Sequence, residues 1–309
     1  MAAEHDKRES LTALSGGSWW AALKRTVREF REDNVTDWAA ALTYYAVLSI
    51  FPALLLLVSA LGLIGQSATK PLLDNVDALA PGAIRDIVTQ AIENLQRSQG
   101  GAGILFVVGL VVALWSASNY VAAFIRASNA IWDVEEGRPI WKTIPLRLAI
   151  TIVLLVVLAI AAFAVVVTGP LAEWVGALVG LSESALTVWD IAKWPVVVLI
   201  VLLMTALLYW AAPNVKQPGF RWVTPGCVIA VLLWILVSAA FAFYVANFGS
   251  YNKTYGSLGA IIIFFIWLWL SNIAILLGAE FDAELERTRQ ITAGHPREKE
   301  PFLPPRDEP

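Results

Sequence analysis

The 309 residues are 58% hydrophobic and only 15% charged, with a mean hydropathy of +0.66 and a net charge of −3. A soluble chain carries about a quarter of its residues charged, so this composition excludes a soluble enzyme, a disordered chain and a disulfide-built secreted domain. The single cysteine, Cys227, can form no intrachain disulfide, and the small negative charge sets up no field that would attract a nucleic-acid partner.

Every Asp, Glu, Lys and Arg falls outside six windows: 38–69, 98–125, 148–172, 194–215, 222–252 and 254–279. Roughly 20 apolar residues in helix cover the hydrocarbon layer, so each window can span it. The expectation is an all-α polytopic membrane protein with six transmembrane helices. Residues 1–17 read as a disordered N-terminal tail and 18–285 as the transmembrane domain. Residues 286–309 read as a charged, Pro-rich C-terminal tail, disordered beyond Arg289. A polar stretch of 37 residues precedes the first apolar run, which is too long for a cleavable signal and reads as a retained span.

Six spans put both termini on one side. The tails and even-numbered loops carry 17 of the 22 Lys and Arg, the odd loops 5, so both termini are expected in the cytoplasm.

In chain order, 18–31 places Trp19, Trp20, Leu23, Val27 and Phe30 on one helical face and Lys24, Arg25, Arg28 and Arg31 on the other. That pattern suits an interfacial N-terminal helix, and equally a helix packed across the bundle's cytoplasmic ends. The first outer loop, 70–97, reads as two short amphipathic helices separated by Pro81-Gly82. The stretch 171–181 prolongs a helix or dips into the interface. Trp38, Trp132, Trp141, Trp189, Trp194, Trp210 and Trp222 sit near span ends as an interfacial belt.

Within hydrocarbon, uncharged polar residues become the signal, because they must be paired or face water. On the first span Tyr45, Ser49 and Pro52 share a face, with Thr43 and Tyr44 beside it. Pro52 removes a backbone donor and is expected to kink the helix. On the second, Trp115, Asn119 and Arg126 share a face that Asn129 continues. On the sixth, Asn272 lies two turns before Glu280. Counting residues from the span ends puts Tyr45, Asn119 and Asn272 at one level, roughly 10–12 Å inside the cytoplasmic boundary. Arg126, Arg147 and Glu280 stand near the mouth of that layer. Interhelical hydrogen bonding and a polar cavity for a solute are the two uses open to it. At the opposite end 247–259 joins the last two spans. Its glycines and asparagines permit a tight non-helical connection, and Asn247, Tyr251, Asn252, Tyr255 and Gly256 are candidates for an outer gate or a plain hairpin. The small residues Ser271, Ala274 and Gly278 form a stripe suited to close helix packing.

Catalytic groupings are scarce. The only histidines, His5 and His295, lie in the tails, no nucleotide-binding P-loop is present, and no buried acidic pair stands out. Asp133, Glu135 and Glu136 form an acidic trio that reads as a solvated loop beside Arg138. No cofactor and no metal are expected, and the chain reads as no enzyme.

These residues carry a resemblance. The run 39–52 (AAALTYYAVLSIFP) resembles the signature first span of the YihY/BrkB membrane protein family. The run 115–119 (WSASN) resembles its second span, and 250–259 (SYNKTYGSLG) with 277–280 (LGAE) is similar to its last. The resemblance covers about 19–285 and implies a bacterial inner-membrane protein with six spans. Members have carried the label ribonuclease BN, as well as virulence-factor labels. The nuclease label fits poorly with the missing metal-binding residues. Two function classes follow from the residues themselves. One is a transporter or flippase-like protein for an amphipathic or lipid solute, with membrane lipids as partners. The other is a non-catalytic scaffold for envelope assembly that docks partners through the basic N-terminal helix and acidic 280–286.

Overall fold

The computed structural model describes residues 16–64, 102–166, 182–217, 223–248, 252–297 and 300–308. Seven helices make up the described chain. They are α1 Gly16–Glu32, α2 Val35–Ile64, α3 Ala102–Ile131, α4 Ile140–Val166, α5 Glu183–Ala211, α6 Pro225–Phe248 and α7 Asn252–Thr292. The amphipathic helices expected in the first outer loop and the stretch 171–181 lie outside the described residues, as does most of the tail 1–17.

Among the described residues five helices are long and apolar enough to cross a membrane: Val107–Ile131, Ile140–Ala161, Ser184–Ala211, Pro225–Val245 and Ile261–Thr292. They hold the charge-free windows from the second onward. The first window forms α2, which runs through Pro52 and whose distal side chains lie outside the described residues. Helix is the form an apolar run must take in hydrocarbon, because it satisfies every backbone donor internally. The outer faces stay apolar: Ile152, Val156 and Ile160 on α4 and Leu232, Leu236 and Phe243 on α6 are all exposed. No water-soluble chain could present such faces unpartnered. Trp141 and Trp194 of the expected belt are also exposed, whereas Trp38 and Trp132 pack inward on the core.

Helix ends follow from local chemistry. After α3, Asp133 takes a left-handed φ of 51°, and Val134 N–H reaches Asn129 O at 3.0 Å while Asp133 N–H reaches Ala130 O. This is the Schellman pattern, which uses up carbonyls left open at a helix end. Gly294, at φ 106°, closes α7 in the same way. The last two spans meet differently from expectation: α7 is helical from Asn252, so 252–259 extends the helix and leaves only a short connection after Phe248.

The most extensive packing joins α2 to α3 and α6 to α7. At the second of these the backbones touch. A Cβ on Gly226 would lie 2.0 Å from Gly278 O, and one on Gly278 would lie 2.4 Å from Gly226 O. Gly278 of the small-residue stripe is therefore a point of close approach, as its spacing suggested. The core of fully buried side chains, including Leu42, Val121, Phe124 and Leu276, sits between α2, α3, α5 and α7.

One end of the bundle gathers α1, the short links after α3 and α5, and the C-terminal tail. α1 lies against α7 through Ala22, packed with Phe281 and Leu285, and through the Arg25–Glu284 ion pair. Its other side leaves Trp20, Leu23 and Val27 exposed. The tail corrects the expectation of disorder beyond Arg289. α7 continues to Thr292, and 300–308 then folds back on the link after α5. Val215 and Pro305 form an antiparallel bridge, flanked by Lys216 N–H to Pro304 O at 2.9 Å and Arg306 N–H to Asn214 O at 3.0 Å. Buried Leu303 and the Lys142–Asp307 ion pair at 2.6 Å complete the docking. Composition misled because the partners lie some 90 residues upstream, beyond the reach of any local pattern.

Beneath α1 the Asp33 carboxyl lies near that of Glu280, which is 1% exposed. Burial, and then the charge of Asp133, push Asp33 up to about 6, with Glu29 and Glu32 adding to the rise. An acid held above its unfolded value of about 3.9 favours the folded state while protonated, and that contribution fades as pH climbs to about 6. Asp33→Asn is therefore expected to raise Tm by about 2 °C or more at pH 7.5, with the difference vanishing near pH 4, when read by thermal unfolding in detergent. Gly226→Ala should cost about 1–3 kcal/mol in the same measurement. Gly16→Ala, where a Cβ meets nothing within 4 Å, should cost far less.

Candidate functional site

The polar residues singled out in the spans separate into an inner network, an outer face and a terminal hub. The inner network centres on Asn272, which is 2% exposed. Its Nδ2 donates to Thr43 Oγ1 at 3.0 Å, and its Oδ1 accepts from Tyr120 Oη at 2.9 Å. Thr43 in turn donates to Ala39 O at 2.8 Å. One side chain thus ties α2, α3 and α7 together, with each polar atom satisfied as hydrocarbon demands. The partner on α3 is Tyr120 rather than its neighbour Asn119, which is half-buried and outside this network. A tyrosine hydroxyl at that depth needs a partner, which was the signal available for Tyr120.

Other hydroxyls turn back on their own helices, Ser49 to Ala46 O and Ser118 to Trp115 O, each at 2.7 Å. Tyr45 packs on the core, and Tyr44 is 60% exposed with its ring edge-on to that of Tyr45 at 5.4 Å. Pro52 is half-buried in α2.

The outer face carries Trp115, Arg126 and Arg147. Trp115 is 57% exposed, Arg126 is exposed, and the Arg147 guanidinium stands 5.0 Å over the Trp115 ring. This face looks away from the Asn272 network.

The terminal hub is built on Asn129, which is 5% exposed. Its Nδ2 donates to Glu136 at 3.0 Å and its Oδ1 accepts from Asn214 N–H at 2.8 Å. Asn214 Nδ2 bridges on to Glu135 O at 3.0 Å and Asp307 O at 2.8 Å. Buried Arg138 meets Glu136 through Nε at 2.7 Å and Nη2 at 2.6 Å, and donates to Ala212 O at 2.8 Å. Burial alone would raise the Glu136 carboxyl, but the Arg138 guanidinium outweighs it and holds the group below the ordinary carboxylate range. Of the acidic trio, Glu136 is thus a structural partner rather than a solvated loop residue.

Glu280 lies deeper than the mouth expected for it. It is buried, its Oε2 has no hydrogen-bond partner, and its neighbour is Asp33, a buried acidic contact that sequence did not reveal because 247 residues separate the two. Of the outer-gate candidates, Tyr251 lies outside the described residues, as do the side chains of Asn247, Asn252, Tyr255 and Gly256.

A cavity of about 70 Å³ opens at the tail end between α3, α5, α6 and α7. Trp132, Tyr209 and Trp210 supply aromatic wall, Gln217, Asp282 and Glu286 polar wall, and Leu303 of the docked tail closes one side. None of the cavity or gate candidates picked from the sequence lines it, though Trp132 and Trp210 of the expected belt do. Tyr209 donates to Ile275 O, fixing α5 on α7. Asp282 accepts from Thr224 Oγ1 and from Gly226 N–H at 2.7 Å, so it caps the start of α6 from a different helix. Among the described residues no group of three or more His, Cys, Asp or Glu is placed to hold a metal ion.

The family model described as Virulence factor BrkB matches residues 26–302. A Bacillus subtilis protein named ribonuclease-like protein YfkH is 34% identical over 258 residues, covering 84% of this chain and 92% of the relative. A UPF0761 membrane protein of Alkalilimnicola ehrlichii is 33% identical over 267 residues, covering 83% of this chain and 56% of that longer relative. One from Alteromonas mediterranea is 29% identical, covering 84% of this chain and 85% of the relative. No solved structure matches. The chain belongs to the Virulence factor BrkB family and is a multi-pass membrane protein.

Proposed function

We propose that the protein is a transporter or flippase-like carrier of an amphipathic or lipid solute in the bacterial inner membrane, with both termini cytoplasmic. The observation that carries this reading is the cavity between α3, α5, α6 and α7, where aromatic wall faces carboxylate and amide wall. Such mixed lining suits a solute with an apolar body and a polar head. At about 70 Å³ the cavity holds no more than two or so waters. Passage therefore requires its wall to move, and the docked tail is one piece of that wall lying outside the helices. Leu303 is its one buried apolar anchor among the described residues.

The cytoplasmic assignment is supported by the gathering of α1, the links after α3 and α5, and the tail at one end. These segments carry most of the chain's Lys and Arg. The exposed Trp20, Leu23 and Val27 of α1, with Lys24 5.5 Å over the Trp20 ring, suit a helix resting in the interface on that side. The ribonuclease-like name of the Bacillus subtilis relative is not carried over. Glu136, Glu284 and Glu286 are committed to arginines rather than grouped for two-cation chemistry, and both histidines lie in the terminal segments.

The test is reconstitution into vesicles with fluorescently tagged phospholipid and external quenching by dithionite. Wild-type protein is expected to speed loss of the inner-leaflet signal at least tenfold over empty vesicles. Deleting 300–309 should speed it further, and Trp132→Ala combined with Tyr209→Phe should slow it. Rates equal to those of empty vesicles for both the full chain and the deletion would end the carrier reading.

A further inference from the structure

Two arginines on adjacent helices have no counter-charge among the described residues. Arg126 lies five residues before the end of α3 and Arg147 seven residues after the start of α4, roughly 8 and 10 Å inside their helix ends. They are close enough to repel one another, and among the described residues neither makes an ion pair or hydrogen bond. The Nε and Nη2 atoms of Arg147 are buried and have no hydrogen-bond partner among the described residues. Its guanidinium is held instead over Trp115, whose residue position is three turns farther along α3 from the tail end than Arg126. A cation–π contact recovers only part of what an uncompensated guanidinium costs at membrane depth.

The bland account is snorkelling, in which each arginine stretches toward water. It fits exposed Arg126. It does not fit Arg147, whose head is held toward the apolar flank rather than away from it. That flank is bilayer-facing: Val111, Val112 and Trp115 on α3 and Ile144 on α4 are all exposed.

We propose that Arg126, Arg147 and Trp115 form a phosphate-binding site on the outside of the α3–α4 pair, occupied by the phosphate of a membrane phospholipid. The chemistry selects this ligand on two counts. A phosphate accepts the paired N–H groups of a guanidinium in the fork geometry that Arg provides, and one such group neutralises two mutually repelling cations. The exposed valines and Trp115 then give an acyl chain a surface to lie along, which a free inorganic anion would leave unused. The patch lies on the outer face, apart from the cavity, and would hold lipid whether or not the protein moves a solute.

Delipidated protein in maltoside detergent is titrated with dioleoylphosphatidylglycerol, with dioleoylglycerol and inorganic phosphate as separate probes. Saturable binding is followed by the shift in melting temperature and by native mass spectrometry. Phosphatidylglycerol should bind saturably, and Arg126→Gln with Arg147→Gln should weaken it at least tenfold. Arg147→Lys, which keeps charge but loses the fork, should fall between. Trp115→Leu, which removes the ring alone, should weaken binding a few fold in a protein with all its charges. Binding of phosphatidylglycerol unchanged in the double variant would overturn the site. So would equal binding of dioleoylglycerol. Inorganic phosphate binding as tightly as the lipid would overturn the phospholipid as occupant. Should the double variant fail to fold, the exposed Arg126→Gln alone decides, and undiminished affinity there counts against the proposal.

Discussion

Hydrocarbon offers no hydrogen bonds, and the whole arrangement answers to that constraint. A polar atom inside the layer must find a protein partner or remain a cost of several kcal/mol. Thr151 and Thr205 donate to carbonyls four residues earlier on their own helices, and Ser271 does the same, each within 2.8 Å. Side chains that cannot reach their own backbone become ties between helices. Asn272 links three of them, and Tyr209 links α5 to α7. Apolar side chains gain little by leaving lipid for protein, so these few polar ties and the backbone contact at Gly226 and Gly278 carry an outsized share of helix-to-helix specificity.

The two kinds of terrain in the molecule follow from where that constraint lifts. At the tail end, water is available to the rim, and charged residues form the connections. Arg25 pairs with Glu284, Arg287 with Glu284 and Glu300, and Arg289 with Glu286. Glu284, Glu286 and Arg289 are buried, so losing one partner would cost more than the about 0–1 kcal/mol of an exposed pair. Their number in one place fixes α1, the tail and α7 relative to one another. The cavity between α3, α5, α6 and α7 sits at the border between the two terrains, which is why it has both aromatic residues and carboxylates in its wall.

What could be read from the sequence is what one helix can report about itself. Charge-free windows give the spans because each span satisfies its own backbone. The depth of Asn272 and Thr43 is likewise a matter of counting residues. Tyr120 was missed for Asn119 because neighbouring positions on a helix point about 100° apart, and residue counting fixes depth far better than direction. The tail's docking, the Asp33–Glu280 contact and the cavity were not legible. Each joins residues far apart in the chain that meet only once the elements carrying them have packed. Gly278 was legible as small, but only the crossing partner, Gly226, explains why nothing larger fits.

Two arginines show how location decides what one side chain needs. Arg138, 7% exposed among the links at the tail end, is met by the Glu136 carboxylate on two nitrogens and by Ala212 O. The polypeptide supplies its counter-charge two residues away. Arg147 has the same guanidinium on a half-buried side chain, and among the described residues it meets only an aromatic face. Arg25, Arg138, Arg287 and Arg289 at that end all meet carboxylates, and in the proposed phosphate site Arg147 takes its counterpart from the surrounding medium instead. The bilayer is the part of that medium in contact with Trp115 and Val112, and its abundant anion is the phosphodiester. In that respect the α3–α4 face is complete only with lipid in place, just as the α5–α6 link is complete only with the tail folded onto it.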